Sequence, residues 1–94
     1  MKKHDKFYVY ILECADNSFY VGMTNNLENR VKLHNNGRGA KYLTRFKNKL
    51  PAKLVFTKEF AYYKNAYKAE KKFKKYPRKR KEELVAIYQE SNTL

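Results

Sequence analysis

Two runs of aromatic and β-branched residues, FYVYILEC (residues 7–14) and SFYVGMT (residues 18–24), flank a short Ala-Asp-Asn connection. Such runs suit a pleated, buried surface, and Asp16-Asn17 is turn chemistry, so the stretch reads as a β-hairpin. Loop length then decides which side chains share a face. A two-residue loop pairs positions of odd sum and puts Tyr10 and Tyr20 on opposite faces. A three-residue loop (Ala15, Asp16, Asn17) sets Tyr20 against Leu12 and Tyr10 against Gly22, with both phenols on one face. In that register Gly22 leaves an open pocket beside them, and a glycine inside a strand often marks close approach by a ligand or another group. The alternative is that both tyrosines are ordinary half-buried core residues.

The pattern downstream of the hairpin changes period. In TNNLENRVKLHNNG, Asn25 is the expected N-cap, with Glu28 completing a capping box. Leu27 and Val31 are spaced to share a buried face, and Gly37 supplies the stop. Residues 38–50 have no sustained period and read as a loop. Residues 52–59 (AKLVFTKE) read as a third strand. Residues 64–75 form a helix with Ala66, Ala69, Glu70 and Phe73 near one face. After Pro77 a last helix is expected from about Arg78 to Glu90, with Leu84, Ile87 and Tyr88 inward. The fold class is α/β (α+β): a three-stranded antiparallel sheet flanked by helices, in the order β-β-α-β-α-α.

At 94 residues the chain has room for one domain, 1–94, with one modest core. No apolar run is long enough to span a membrane, and MKKHDKFYVY lacks the apolar stretch of a secretion signal. Cys14 is the only cysteine, which excludes an internal disulfide and a Cys-based zinc site; a cytoplasmic protein is expected. The bulk signal is charge: 22 Lys+Arg against 9 Asp+Glu give +13 at pH 7. The cations cluster at Arg38, Lys41, Arg45, Lys47 and Lys49, and again from Lys71 to Lys81, beside aromatics and with little acid. That points to nucleic acid ahead of a merely soluble surface, and no strongly apolar helix face suggests a membrane.

Three further residues carry chemistry. Arg30 and His34, at i, i+4, project from the same side of the first helix. The arginine suits a phosphate or a developing phosphorane, and the histidine suits a proton relay or a phosphate contact. The alternative is a solvated helix face with a surface histidine. Glu70 is the only acid between Glu59 and Glu82 and lies toward the core side of its helix. A carboxylate so placed has to be paired or bind metal, and an i, i+4 ion pair to Lys74 competes with the metal reading.

YVYIL, then YVG, Arg30, His34 and Glu70 in this spacing resemble the GIY-YIG nuclease domain, in particular its small stand-alone bacterial branch. The first tyrosine is Tyr10 and the second motif is Tyr20-Val21-Gly22. The similarity covers about residues 6–76, leaving a basic C-terminal helix over about 77–90. The first motif departs from the family pattern: Tyr8-Val9-Tyr10 lacks its glycine and isoleucine, and the asparagine that some relatives use downstream has no counterpart. The resemblance implies an endonuclease hydrolysing DNA phosphodiesters with one Mg²⁺ or Mn²⁺ ion on Glu70, on single-stranded or branched DNA among the candidates. Tyr10, or alternatively Tyr20, orients or deprotonates the attacking water; Arg30 and His34 grip the phosphate. Gly22, Lys41, Tyr42 and Arg45 are the implied substrate contacts, and a protein partner is one source of specificity. A phenol base needs Arg30, the metal and nearby lysines to favour its anion, since its ordinary pKa is about 10. The rival reading is a nucleic-acid-binding module that keeps the fold without turnover.

Overall fold

The computed structural model describes residues 6–38 and 49–91. Strands β1 (Phe7–Glu13) and β2 (Phe19–Thr24) lead into helix α1 (Leu27–Asn35). Strand β3 (Lys53–Phe60) is followed by helices α2 (Tyr63–Lys75) and α3 (Arg78–Ser91). The expected order β-β-α-β-α-α is therefore the observed one. The sheet is antiparallel throughout and ordered β2-β1-β3, so β1 is the central strand. This explains why β1 lacks a polar face: Val9, Tyr10, Ile11 and Leu12 are all buried, on alternating sides.

The hairpin has the three-residue loop. Cys14 N–H donates to the Ser18 carbonyl and Asn17 N–H donates to the Cys14 carbonyl, both at 2.8 Å. Asn17 sits in the left-handed region at φ 72°, where asparagine is tolerated. Tyr10 consequently pairs with Gly22 and Leu12 with Tyr20. Lys49 pins the tip by donating to Asp16 at 2.7 Å and to the Ser18 hydroxyl at 2.9 Å.

The register divides the core into two layers. Val9, Ile11 and Val21 face α2 and α3, where they meet Val55, Phe56, Ala66 and Phe73. Tyr10, Leu12 and Cys14 face the opposite side and pack with Tyr20, Leu54 and, from α1, Leu27 and Val31. A bulge in β3 opposite Ile11 and Leu12 allows adjacent Val55 and Phe56 both to enter the first layer, while Leu54 returns to the second.

Two local expectations are corrected. The N-cap of α1 is Asn26, whose Oδ1 accepts the Asn29 amide at 3.1 Å, not Asn25. The Thr24 hydroxyl accepts the Asn26 amide and carries the chain one residue further before the helix begins. Glu28 then lies in the first turn, 3.9 Å from Lys32. Ile87 does not face inward and is 59% exposed. The buried side of α3 is instead formed by Leu84, Val85 and Tyr88. Gly37 ends α1 as expected, at φ 77°, with Gly37 N–H donating to His34 and Arg38 N–H donating to Leu33, a Schellman arrangement.

Candidate active site

The site lies on the α1 side of the sheet and is built around β1. The Tyr10 hydroxyl and His34 Nε2 form a buried hydrogen bond of 2.9 Å. Each residue is 1% exposed, so the alternative of a surface histidine fails. It fails because α1 lies against the sheet and turns its last turn inward. Tyr20 completes an aromatic cluster: its ring lies 5.4 Å from the His34 ring, edge-on, and 6.3 Å from that of Tyr10. So enclosed, His34 has the Tyr10 hydroxyl as a hydrogen-bond partner.

Gly22 has a different use from the one expected. A Cβ at this position would fall 2.5 Å from Tyr10 Cζ and nearer still to the hydroxyl. The space left by the missing side chain is filled by the Tyr10 phenol, not open to a ligand. Gly22 thereby seats the phenol against the backbone of β2, where its hydroxyl reaches α1.

Arg30, one turn before His34, is half-buried, and Glu70 comes from α2, which packs along β1 and β2 on the other layer. Both charges act on the cluster. Burial raises the Tyr10 pKa well above its ordinary value, with Tyr20 and Glu70 adding to the rise and Arg30 opposing it. Tyr20 is raised by burial and then by Glu70, again against Arg30. His34 is pushed down, first by burial and then by Arg30. In the chain alone, Tyr10 is therefore a neutral phenol facing a neutral imidazole at pH 7. Desolvation outweighs Arg30 here, so the phenolate still needs the metal that the resemblance implies.

Glu70 makes the i, i+4 ion pair with Lys74 at 3.5 Å, its own side chain being 19% exposed. Lys41, Tyr42 and Arg45 lie outside the described residues. Two residues not anticipated from sequence frame the cluster. Asn35 donates to the Ala52 carbonyl at 2.9 Å and accepts its amide at 2.8 Å, tying the end of α1 to the approach to β3. Thr57, opposite Tyr10 on β3, has a buried hydroxyl with no hydrogen-bond partner among the described residues. Neither signal is readable without pairing: an asparagine that mimics a strand looks like any helix-end asparagine.

Two phenols, an imidazole and a guanidinium gathered around a three-stranded sheet, with one carboxylate from the opposite layer, agree with a defined class. The chain belongs to the GIY-YIG catalytic domain family, whose model matches residues 6–83. Within that class it is similar to the UPF0213 proteins. It is 45% identical to UPF0213 protein YazA of Bacillus subtilis, over 87% of this chain and 79% of that one. With UPF0213 protein spr1390 of Streptococcus pneumoniae the identity is 42%, over 95% of this chain and 87% of the relative. Among solved structures, the solution NMR structure of UPF0213 protein BH0048 from Bacillus halodurans is 40% identical with a TM-score of 0.56, covering 87% of this chain and 84% of its own. That of EF2693 from E. faecalis is 38% identical with a TM-score of 0.62, covering 100% and 97%.

Proposed function

We propose that this chain is a divalent-metal-dependent endonuclease that hydrolyses phosphodiester bonds in DNA. The observation that carries the reading is the buried Tyr10–His34 hydrogen bond, with Tyr20 against it and the charges of Arg30 and Glu70 within electrostatic reach. Burying such a set is costly, and perturbed groups of this kind concentrate at functional sites.

The donor set fits a single magnesium-like ion. Among the described residues no three His, Cys, Asp or Glu side chains come together, and Glu70 offers one carboxylate. Mg²⁺ keeps several waters and is commonly held by one or two carboxylates plus a substrate phosphate. The competing Lys74 contact is an i, i+4 helix pair with an exposed lysine, worth only about 0.3–0.5 kcal/mol. Bound at Glu70, one Mg²⁺ or Mn²⁺ ion would polarise the scissile phosphate and stabilise the leaving oxygen.

The remaining chemistry falls to the chain. Arg30 holds non-bridging phosphate oxygens and meets charge that develops on them. Tyr10 takes a proton from the attacking water while handing its own to His34 Nε2, in the tautomer that carries its proton on Nδ1. This relay avoids a free phenolate in a site that burial makes hostile to it. The new bond joins the water oxygen to phosphorus, the bridging P–O bond breaks, and the leaving oxygen takes a proton from solvent. The net charge of +13 supplies a sequence-independent grip on the DNA backbone. Lys41, Tyr42 and Arg45 are proposed as further substrate contacts, and a protein partner as a source of specificity.

The test is incubation with single-stranded, duplex and branched DNA in Mg²⁺ or Mn²⁺, beside Glu70→Ala and Tyr10→Phe. Cleavage by the wild type and its loss in both variants supports the reading. No cleavage of any substrate, or equal cleavage by Glu70→Ala, overturns it. Binding without cleavage favours the non-catalytic module.

A further inference from the structure

Four large hydrophobic side chains are well exposed among the described residues, and three of them, Tyr62, Tyr63 and Tyr67, lie at the start of α2. Their exposures are 67%, 54% and 42%. They are also ordered. The Tyr63 and Tyr67 rings stack at 6.0 Å with 22° between their planes, and Phe7 meets Tyr63 edge-on at 5.7 Å. The Lys71 ammonium lies 5.0 Å from the Tyr67 ring centre. Lys64 and Lys68 are exposed beside them, and the first turn of α2 contains no acid.

Position relative to the candidate active site gives this patch its meaning. Tyr63, Tyr67, Glu70 and Lys74 fall at i, i+4, i+7 and i+11 and share one stripe of the helix. At the helical rise, Tyr67 precedes Glu70 by about 4.5 Å along the axis and Tyr63 by about 10 Å. A nucleic-acid strand with a phosphate at Glu70 therefore brings its neighbouring nucleotides over the tyrosines.

We infer that Tyr63 and Tyr67, with Tyr62 at their edge, form a stacking platform for unpaired nucleobases flanking the scissile phosphate near Glu70. As a statement about substrate it rests on the function proposed above. Paired bases offer only their edges to a protein, whereas unpaired ones present a face that an aromatic ring can stack against. Lys71 covers Tyr67 in the free chain; an incoming base displaces this flexible arm and leaves its ammonium to the adjoining phosphate. The lysines select a polyanion over an apolar peptide, and the rings select unpaired over paired nucleotides. The platform thus assigns the substrate class: DNA single-stranded next to the cut.

Binding is measured in EDTA, with no turnover, by anisotropy of a labelled oligothymidylate and of a blunt duplex. Tyr67→Ala, Tyr67→Phe and Tyr62→Ala are compared with the wild type, and thermal melts confirm folding. Tyr67→Ala is expected to weaken oligothymidylate binding about tenfold, the worth of one base–aromatic stack. Tyr67→Phe retains it, duplex binding stays unchanged, and the salt slope is preserved because no phosphate contact is lost. Equal oligothymidylate affinity in Tyr67→Ala and wild type, or equal loss on duplex, overturns the inference. So does a wild type that ignores oligothymidylate at low salt, which leaves the tyrosines as a surface for a protein partner. Because the readout is metal-free binding, it separates from the activity test: Glu70-dependent cleavage without tyrosine-dependent binding defeats the platform alone. Tyrosine-dependent binding without cleavage defeats the nuclease reading alone.

Discussion

The hydroxyl of Tyr10, on the central strand, and Nε2 of His34, in the last turn of α1, form a 2.9 Å hydrogen bond that joins the sheet to the helix covering it. Both residues lie in the core, so removing one strands the polar group of the other. Tyr10→Phe is expected to lower stability by about 1–3 kcal/mol, the usual cost of stranding a buried polar group. Urea denaturation of Tyr10→Phe, His34→Phe and the double variant should show strong non-additivity, with the double variant less unstable than the sum. Additive losses would mean that the bond contributes nothing of its own.

Gly22 is the seat of the same phenol. Gly22→Ala puts a methyl into the Tyr10 ring and is expected to cost about 1–3 kcal/mol, typical of overpacking a filled core. Shortening the ring to leucine in Gly22→Ala/Tyr10→Leu removes the clash, so the second change should cost less in the alanine background than alone. Denaturation midpoints of the four proteins decide it.

Acid should destabilise the chain through His34. Its folded-state pKa lies below the 6.5 of an exposed histidine. Between the two values the unfolded chain binds a proton that the folded chain does not, so stability rises with pH across that window. Stability is expected to fall as the pH drops through 6.5 and below, and the slope to flatten in His34→Gln. An unaltered slope in that variant would remove His34 from the account.

Alkali acts through Tyr10 and Tyr20 in the opposite direction. Both phenols hold their protons at pH values above the 10.0 of an exposed tyrosine. Above that pH the unfolded chain releases protons that the folded chain keeps, and stability falls as pH rises. In a tyrosinate absorbance titration, Tyr10 and Tyr20 should therefore lag, ionising only as the chain unfolds. Tyr10→Phe should remove one lagging phenol.

Asn35 spans the end of α1 and Ala52 with two hydrogen bonds. Asn35→Ala leaves the Ala52 amide and carbonyl without them and is expected to cost about 1–3 kcal/mol. Asn35→Asp keeps the acceptor but presents a carboxylate to the carbonyl, and should rescue little. Thermal unfolding of the two variants, compared with wild type, checks both expectations.

Much of this arrangement follows from local chemistry. Asp16 and Asn17 favour a tight turn, and the three-residue connection makes Tyr10 and Tyr20 share a face whatever surrounds them. The spacing of Leu27 with Val31, and of Ala66 with Phe73, marks each helix's buried side, and Gly37 takes the left-handed position that ends α1. These are short-range effects, carried by backbone dihedrals and by the periods of strand and helix. The near misses have the same origin: Asn25 and Asn26 are chemically alike as caps, and only the Thr24 hydroxyl, bonded to the Asn26 amide, distinguishes them. Ile87 looks like core until the packing of α3 on β3 selects Leu84, Val85 and Tyr88. What tertiary structure alone decided is the long-range part. It placed β3 beside β1, enclosing Tyr10 and His34 until burial made both neutral, and it filled the space at Gly22 with a phenol. It also brought the charge of Glu70 to the tyrosines from the other layer. Desolvation and charge coupling depend on what lies across space, and a linear pattern of residues contains no measure of either.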